Sequence, residues 1–223
     1  MPHLEPRGGS FGELTLAEFV DRLASAEPVP GGGSASAVAA SLGAGLVAMV
    51  ASLSQDRPKY EAHATLHVAA IEVGRRLATR FLEFADEDAA AYSDFSASLK
   101  LPRFTDAEKA RRKAAMSAAA KTAAEVPLAV VEACLELVST AESLVGRSNA
   151  NAASDLNVAA LLGEAAARGA AENVLVNLPM VGDEAYAGQM TARVMSLLDD
   201  IEQQAGAVHE GVRSGTVREP LPA

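Results

Sequence analysis

The chain has 223 residues, 49% of them hydrophobic, which is enough for one buried domain and too few to require two. Its formal net charge of −10, with no basic stripe, argues against nucleic acid as a partner, and its single cysteine excludes an intramolecular disulfide framework. The start of the chain has no apolar stretch behind a basic run, so it does not look like a secretory signal, and we expect a cytoplasmic protein.

Helical periodicity dominates the sequence and predicts an all-α protein, an antiparallel bundle of about seven helices. We expect one domain over residues 11–212, between an N-terminal tail at residues 1–10 and a C-terminal tail at residues 213–223. Thr15 and Glu18 form a capping box that predicts a first helix to about Ala26. Two prolines and three glycines then break the helix within residues 27–34.

The second predicted helix carries no charge from Ser34 to about Ser54 and is as long as a membrane span. It has few large apolar residues and lacks the basic and aromatic flanks of a span, so we interpret it as a helix buried in the protein. Small residues recur at every fourth position, which predicts a close crossing with another helix or with a second copy of the chain. This stripe consists of Gly33, Ala37, Ser41 and Gly45.

Five further helices are predicted from caps and breaks along the rest of the chain. A capping box of Thr105 and Glu108 should open the fourth helix, and Pro127 should cause a break or kink before the fifth. Ser154 can cap the sixth helix, which Pro179 should stop. The approximate ranges are residues 58–99, 105–126, 127–144, 154–178 and 183–211.

Asp88 is the strongest candidate for a catalytic group. It lies in the middle of a predicted buried stripe on the third helix, whereas Asp86 and Glu87 point elsewhere. A buried carboxylate is costly unless it is paired or used, and burial raises its pKa, as a general acid or base near neutral pH requires. A structural aspartate bonded to a neighbouring helix is the alternative. The stripe consists of Phe81, Phe84, Asp88, Tyr92, Phe95 and Leu99.

A glycine-rich turn, Gly31-Gly32-Gly33-Ser34, leads into the second predicted helix. Successive glycines allow close backbone approach, and a helix N-terminus offers free N–H groups to an anion or a carbonyl. No Gly-Lys-Ser/Thr follows, so the turn is not a nucleotide-binding P-loop. A plain tight turn is the alternative.

Polar side chains also accompany the sixth predicted helix. Asp155, Asn173 and Asn177 share one helical face of otherwise small residues, and Asn151 and Ser154 precede it. Such groups could bind a ring with several donors and acceptors, such as a pterin. A capped helix with interhelical hydrogen bonds is the alternative.

The histidines and the basic residues give weaker signals. His63 and His67 have a spacing that can bind a metal, but no glutamate follows the first, so we predict solvated or interface histidines and no metal site. Four cations at predicted helix ends are either solvated or able to receive a polyanionic tail: Arg57, Lys59, Lys100 and Arg103. A further basic run is typical of a solvated helix face: Lys109, Arg111, Arg112 and Lys113.

These segments together resemble the family of formimidoyltetrahydrofolate cyclodeaminases and methenyltetrahydrofolate cyclohydrolases, over roughly residues 14–210. The same domain forms the C-terminal part of the mammalian bifunctional formimidoyltransferase-cyclodeaminase. The matching segments are Pro-Val-Pro-Gly-Gly-Gly-Ser (28–34), Asp-Glu-Asp-Ala-Ala-Ala-Tyr (86–92), Leu-Lys-Leu-Pro-Arg (99–103), Glu-Lys-Ala-Arg-Arg (108–112), Val-Pro-Leu (126–128), Ser-Asp-Leu (154–156) and Asn-Val-Leu-Val-Asn-Leu (173–178).

The resemblance implies an all-helical homodimer that acts on a mono- or polyglutamylated folate, with no metal, no bound cofactor and no membrane. It implies a catalytic role for Asp88 and a substrate pocket lined by Gly31–Ser34, by Tyr92 and by the polar segments at 151–155 and 173–177. Our first hypothesis is the cyclodeaminase, which closes 5-formimidoyltetrahydrofolate to 5,10-methenyltetrahydrofolate and releases ammonia. The rival is a stand-alone cyclohydrolase, and no residue separates the two. A non-catalytic folate-binding or assembly protein is a third reading, which Asp88 argues against.

Overall fold

The computed structural model describes residues 9–221, which form six α-helices and three short 3-10 helices, with no β-strand in that range. The predicted all-helical fold is confirmed, with six helices where about seven were expected. The outer parts of both predicted tails, residues 1–8 and 222–223, lie outside the described residues. The helices are α1 (Leu16–Leu23), α2 (Gly32–Ser52), α3 (Ala64–Leu99), α4 (Asp106–Leu144), α5 (Ala153–Val181) and α6 (Glu184–Ser214), and the 3-10 helices are Phe11–Glu13, Pro58–His63 and Ala150–Ala152.

Helices α2 to α5 form the core bundle. Helix α2 packs between α3 and α5, α4 packs against the same two helices from the opposite side, and α6 covers α4 and α5. Helix α2 runs antiparallel to α3, because Gly33 near its start meets Asp88 and Ala48 near its end meets Gly74. This pairing places the first turn of α2 beside the C-terminal third of α3.

Helix α2 is the central apolar helix of the bundle. Among the described helices it is the one long and apolar enough to cross a membrane, with a mean hydropathy of 1.8, and half of that stretch is buried by its neighbours. The predicted small-residue stripe is correct for Gly33 and Ala37, which are buried, but Gly45 is exposed with open space beside it. The close approach to α3 depends instead on Gly74, where a Cβ would lie within 3 Å of the α2 backbone.

The predicted break at Pro127 is wrong, because α4 is one continuous helix from Asp106 to Leu144. A proline at this position has no N–H to donate to the carbonyl of Ala123 one turn earlier. The side-chain amide of Asn177 on α5 donates to that oxygen at 2.9 Å. The neighbouring helix therefore satisfies the carbonyl that Pro127 leaves without its usual partner.

The predicted helix starts are correct at two positions and wrong at a third. Thr15 with Glu18, and Thr105 with Glu108, both form the reciprocal hydrogen bonds of a capping box. Ser154 does not cap α5, because it already lies within the first turn of that helix. The 3-10 helix at Ala150–Ala152 leads directly into α5 instead.

Two chain segments near helix ends also differ from the prediction. Helix α5 continues through Pro179 to Val181 and ends at Gly182, whose φ of +73° suits a glycine. Residues 216–221 lie along the loop between α4 and α5, where the backbone N–H of Arg218 donates to the carbonyl of Gly146 at 3.1 Å. This part of the predicted C-terminal tail is therefore packed on the bundle.

Candidate active site

Asp88 lies where α3 meets the first turn of α2, and it is half-buried. The hydroxyl of the fully buried Ser34 is 3.0 Å from Oδ2 of Asp88 and 3.1 Å from the carbonyl oxygen of Ala85. Gly33 makes room for the carboxyl, since a Cβ there would lie 2.5 Å from Cγ and 2.6 Å from Oδ2 of Asp88. Two residues of the predicted glycine-rich turn, Gly33 and Ser34, therefore lie directly against Asp88.

The surroundings of Asp88 act on its charge in two opposing ways. Burial raises the pKa of the Asp88 carboxyl above its usual range, and hydrogen bonds from Ser34 lower it in part. The start of α2 has no side-chain cap at Gly31, so its free N–H groups and positive dipole end lie beside the carboxyl. The raised pKa makes this carboxyl a candidate for accepting and releasing a proton during catalysis.

Beyond the first turn of α2, the face of α3 that begins at Asp88 is no longer covered. Tyr92 is 45% exposed, Phe95 is half-buried and Leu99 is 44% exposed. These residues are spaced four, three and four apart, so they follow Asp88 along one side of the helix. We call the uncovered surface along this side of α3, which starts at the Asp88 carboxyl, the trough.

The predicted buried stripe on α3 is therefore correct only in its first half. Phe81 and Phe84 are buried in the core, but Tyr92 and Leu99 are not. The reason is that α2 begins at Gly32 and does not extend along the last three turns of α3.

Helix α5 provides the opposite wall of the trough. Its Gly169 lies against Ser36 of α2, and the same helical face continues through Asn173 to Val176 and Met180. Val176 is 68% exposed and Met180 is 53% exposed, because α2 does not reach them. The spacing of these residues was the signal in the sequence that could have identified this wall.

Helix α4 closes the trough from behind. Arg112 faces α3, because its guanidinium donates to the carbonyl of Leu99 at 3.1 Å, and Ser117 faces α5, because its hydroxyl donates to the last carbonyl of α5 at 2.5 Å. Lys113 and Met116 lie between those two directions on the helical wheel and so face the trough. A cavity of about 680 Å³ lies at this end, within the usual size range of ligand sites.

The two predicted asparagines of α5, Asn173 and Asn177, lie beside the trough, but their amide groups already donate hydrogen bonds to backbone carbonyls. The amide of Asn173 donates to the carbonyl of Gly169, and the amide of Asn177 donates to the carbonyls of Ala123 and Asn173. The side-chain oxygens of both residues and the second amide N–H of Asn173 remain for a ligand. The alternative reading of interhelical hydrogen bonds is therefore correct for Asn177.

The remaining predicted polar residues do not reach Asp88 within one chain. Asn151, Ser154 and Asp155 lie at the start of α5, beside the C-terminal end of α2. Asp155 and Asn173 are 18 positions apart on one helix, which separates them by about 27 Å. The predicted single pocket is therefore divided between opposite ends of the bundle.

A second cavity, of about 480 Å³, lies at the far end of α3 beside His67. His67 and Asp88 are 21 positions apart on α3, or about 32 Å, so this cavity is separate from the trough. His67 is fully buried and its Nε2 lies 2.9 Å from the carbonyl oxygen of Arg147, so of the two predicted settings, solvated or at an interface, the solvated one is wrong for this residue. Within residues 9–221, no three His, Cys, Asp or Glu side chains are grouped as they would be to hold a metal ion.

The sequence matches known proteins over most of its length. The profile of the Formiminotransferase-cyclodeaminase family matches residues 15–196. The chain is 37% identical over 202 residues to the methenyltetrahydrofolate cyclohydrolase of Methylorubrum extorquens, covering 90% of this chain and 95% of that one. It is 34% identical over 193 residues to the formimidoyltransferase-cyclodeaminase of Gallus gallus, covering 86% of this chain and 36% of that one.

The fold also matches a solved structure. The crystal structure of formiminotetrahydrofolate cyclodeaminase from Thermotoga maritima superposes with a TM-score of 0.83 at 27% identity, covering 91% of this chain and 98% of that one. The chain therefore belongs to the formiminotransferase-cyclodeaminase family of folate-processing enzymes.

Proposed function

We propose that this protein is an enzyme acting on a one-carbon unit at nitrogens 5 and 10 of tetrahydrofolate, with Asp88 as its acid–base group. The observation that carries the proposal is a half-buried carboxyl with a raised pKa, held by Ser34 at the base of an open trough. The family to which the chain belongs supplies the folate substrate class.

The first candidate reaction is that of a formimidoyltetrahydrofolate cyclodeaminase. Nitrogen 10 attacks the formimidoyl carbon on nitrogen 5, the five-membered ring closes, and ammonia leaves. Asp88 takes the proton from nitrogen 10 and returns it to the leaving amine, and its charge stabilises the cationic carbon. Because the ring closure is intramolecular, walls that hold the pterin and the aryl amine at the right angle supply much of the rate. The full-length match to the Thermotoga maritima protein favours this reaction.

A methenyltetrahydrofolate cyclohydrolase is the second candidate. The 37% identity with the Methylorubrum extorquens protein, over nearly the whole of both chains, favours it. In this reaction water adds to the methenyl carbon and one carbon–nitrogen bond opens. Asp88 would take the proton of the attacking water and pass it to the nitrogen that leaves.

The test is an assay of the pure protein with both folates. The cyclodeaminase releases ammonia from 5-formimidoyltetrahydrofolate, whereas the cyclohydrolase removes the methenyl absorbance. Asp88→Asn should lower turnover of the true substrate by roughly two to four orders of magnitude, the usual scale for losing a general acid or base. Asp94→Asn is the matched control, because Asp94 is an exposed carboxylate on the same helix. Full activity of Asp88→Asn with both folates would refute the proposed role.

We also propose that the protein is a homodimer that associates through one face of α2 and α5. Leu42 and Met49 on α2 are exposed, and so are Val158 and Leu161 on α5. The two helices are in contact here, since a Cβ at Gly43 would lie 3.1 Å from the α5 backbone. These residues form a continuous apolar face with no charge on α2, the kind of surface that a second copy covers.

In this dimer the two α2 helices would cross antiparallel about a twofold axis. The C-terminal end of one α2 would then lie beside the first turn of the other, and with it the start of the adjacent α5. The segment 151–155 of one copy would thereby approach Asp88 of the other. The predicted pocket, which is divided between opposite ends of a single chain, would then be formed by two subunits together. Leu42→Glu should give monomers in sedimentation. Mixing Asp88→Asn with Asp155→Ala subunits should restore part of the activity that each variant lacks, and failure to do so would contradict the shared site.

We further propose that the enzyme works in the cytoplasm and needs no metal or bound cofactor. The reaction requires proton transfer and positioning, which Asp88, Ser34 and the trough walls can supply. The net charge of −10 also disfavours nucleic acid as a partner, and we propose that the protein does not bind membranes.

A further inference from the structure

Ser34 contacts the Asp88 carboxyl from inside the bundle. Its side chain is fully buried in the first turn of α2, so it lies behind the carboxyl and not in the trough. Its hydroxyl is within hydrogen-bond distance of two oxygens on α3, Oδ2 of Asp88 at 3.0 Å and the carbonyl oxygen of Ala85 at 3.1 Å. A hydroxyl has a single hydrogen, so Ser34 can donate to only one of these oxygens at a time.

The charge of Asp88 decides between the two acceptors. An ionised carboxylate is the stronger acceptor, because hydrogen bonds to charged groups are about twice as strong as those between neutral groups. When Asp88 takes up a proton, its Oδ2 becomes either a neutral carbonyl oxygen or a hydroxyl that itself donates, and the carbonyl of Ala85 then competes for the Ser34 hydrogen. The hydrogen-bond partner of Ser34 therefore depends on the protonation state of Asp88.

The two oxygens of the Asp88 carboxyl have different surroundings. Oδ2 faces the Ser34 hydroxyl, whereas Oδ1 has no hydrogen-bond partner within residues 9–221. Oδ1 is also accessible to solvent, since the buried side-chain polar atoms that lack a partner in that range belong to His63 and His67. Oδ1 is therefore the oxygen at which a proton can arrive from a bound molecule.

Neighbouring charged groups are engaged away from this contact. Helix α2 carries no charged residue. On α3, Asp86 accepts from a backbone N–H of the first 3-10 helix at 2.8 Å, and Glu87 pairs with Arg80 at 2.6 Å. On α5, the charged residues beside the segment that packs on α2 are Arg168 and Glu172, and both are exposed. Within the described part of the chain, the serine hydroxyl is thus the only side-chain group that bonds to the carboxyl.

Both candidate reactions require Asp88 to change its charge twice in each turnover. The carboxylate takes a proton from a nitrogen or a water molecule and returns it to the leaving group. If the Ser34 hydroxyl follows the charge by rotating about its own C–O bond, the carboxyl keeps its position in both states. Groups that are already in place in this way need no rearrangement at the moment of reaction.

We propose that Ser34 is a positioning residue for Asp88. Its hydrogen moves from Oδ2 of Asp88 to the carbonyl oxygen of Ala85 when the carboxyl gains a proton, and returns when the carboxyl loses it. Oδ1 is the oxygen that exchanges protons with the substrate. No covalent bond of Ser34 forms or breaks, because the O–H group only rotates. The inference rests on the proposed acid–base role of Asp88, and it replaces the predicted contact of Ser34 with the substrate by an action through Asp88.

The first test follows two ¹³C resonances by NMR as a function of pH, without substrate. The backbone carbonyl of Ala85 should change with the same midpoint as the side-chain carboxyl of Asp88. In Ser34→Ala, which keeps the carboxyl but removes the hydroxyl, the change at Ala85 should disappear. The matched control is the carbonyl of Ala78 on α3, which accepts from the hydroxyl of Ser41 on α2 at 2.8 Å and should not change at that midpoint.

The second test compares the pH dependence of kcat/KM in Ser34→Ala and Ser41→Ala. Each variant removes one hydroxyl–carbonyl contact between α2 and α3, so both should lose a similar amount of thermal stability. Burial raises the pKa of Asp88 and Ser34 lowers it, so only Ser34→Ala should move the acid limb, to higher pH by about one pH unit. The direction follows because the ionised carboxylate loses a donor.

Three outcomes would overturn the role of Ser34. They are an Ala85 resonance that does not follow Asp88, one that follows it equally in Ser34→Ala, and an acid limb that Ser34→Ala leaves in place. The NMR titration needs no turnover and is therefore independent of the activity assay. A protein that converts neither folate but shows the shared midpoint of Ala85 and Asp88 would refute the proposed reaction and leave the hydroxyl rotation standing.

Discussion

The close contact between Gly33 and Asp88 makes Gly33→Ala a direct test of the candidate site. A methyl group at position 33 would lie 2.5 Å from Cγ and 2.6 Å from Oδ2 of Asp88. Oδ1 of Asp88 would lie closer still, and ordinary van der Waals contact begins at 3.4 Å, so the carboxyl must move by about 1 Å. A misplacement of about 1 Å in a catalytic group costs roughly 100-fold in rate, and we expect kcat to fall by about that factor.

The matched control is Gly32→Ala, one position earlier in the same helical turn. A Cβ at Gly32 meets nothing within 4 Å, so this variant should leave the Asp88 carboxyl in place and lose far less activity than Gly33→Ala. Gly33→Ala also overpacks the contact with Asp88, which costs about 1–3 kcal/mol, so the melting temperature is needed to separate a displaced carboxyl from partial unfolding. The measurements are kcat with the preferred folate and the thermal melting temperature of both variants. Equal activity of the two variants would show that the position of the Asp88 carboxyl does not limit the rate.

Three further predictions concern the same carboxyl and the helix packing. Asp88→Asn should raise the melting temperature at neutral pH. The pKa of Asp88 is raised in the folded protein, so the free energy of unfolding decreases as the pH rises from the ordinary pKa of 3.8 through the higher folded-state pKa. The gain in melting temperature should therefore vanish near pH 3.8, and a gain independent of pH would contradict this linkage. The acid limb of kcat/KM for the wild-type enzyme should lie above the ordinary aspartate range, since the ionised form is the base, and the residual activity of Asp88→Asn should lack that limb. Gly74→Ala should destabilise the protein by about 1–3 kcal/mol in denaturant unfolding, because its Cβ would lie 2.8 Å from the carbonyl oxygen of Ala44. Gly206→Ala on α6, whose Cβ would meet nothing within 4 Å, should instead stabilise the protein by about 0.5–1 kcal/mol, and similar effects of the two substitutions would argue against the close α2–α3 packing.

Helical spacing alone was sufficient to single out Asp88. The alternation of three and four positions placed its carboxyl on the same face as Phe81 and Phe84, and those two rings are buried as predicted. The same spacing could not show that the face becomes exposed at Tyr92. That change depends on where α2 begins relative to α3, which is a property of the tertiary arrangement and not of either helix.

The continuous helix through Pro127 shows a different limit of the sequence. A proline inside a helix leaves one carbonyl without its donor, and local rules therefore predict a break. Here the missing donor comes from Asn177, 54 positions away from Ala123. The same contact gives Asn177 a role in the helix packing, and its predicted contact with folate stays a prediction for its side-chain oxygen.

The polar segment at residues 151–155 could be recognised from its resemblance to the family but not located. The helical spacing puts Asp155 and Asn173 on the same face of α5, but it does not show that they are close in space. They are about 27 Å apart along the helix. Only the antiparallel pairing of α2 with its neighbours shows which end of α5 lies near Asp88.

Helix α2 does not extend along the last turns of α3, so the space for a ligand lies outside the densely packed core. Three long helices continue past Gly32, and the space that a longer fourth helix would occupy is the trough. The densely packed core does not have to open, so ligand binding requires no separation of the helices. A few residues added to or removed from the beginning of one helix would shorten or deepen the groove, which gives this architecture a simple way to fit substrates of different length on an unchanged scaffold.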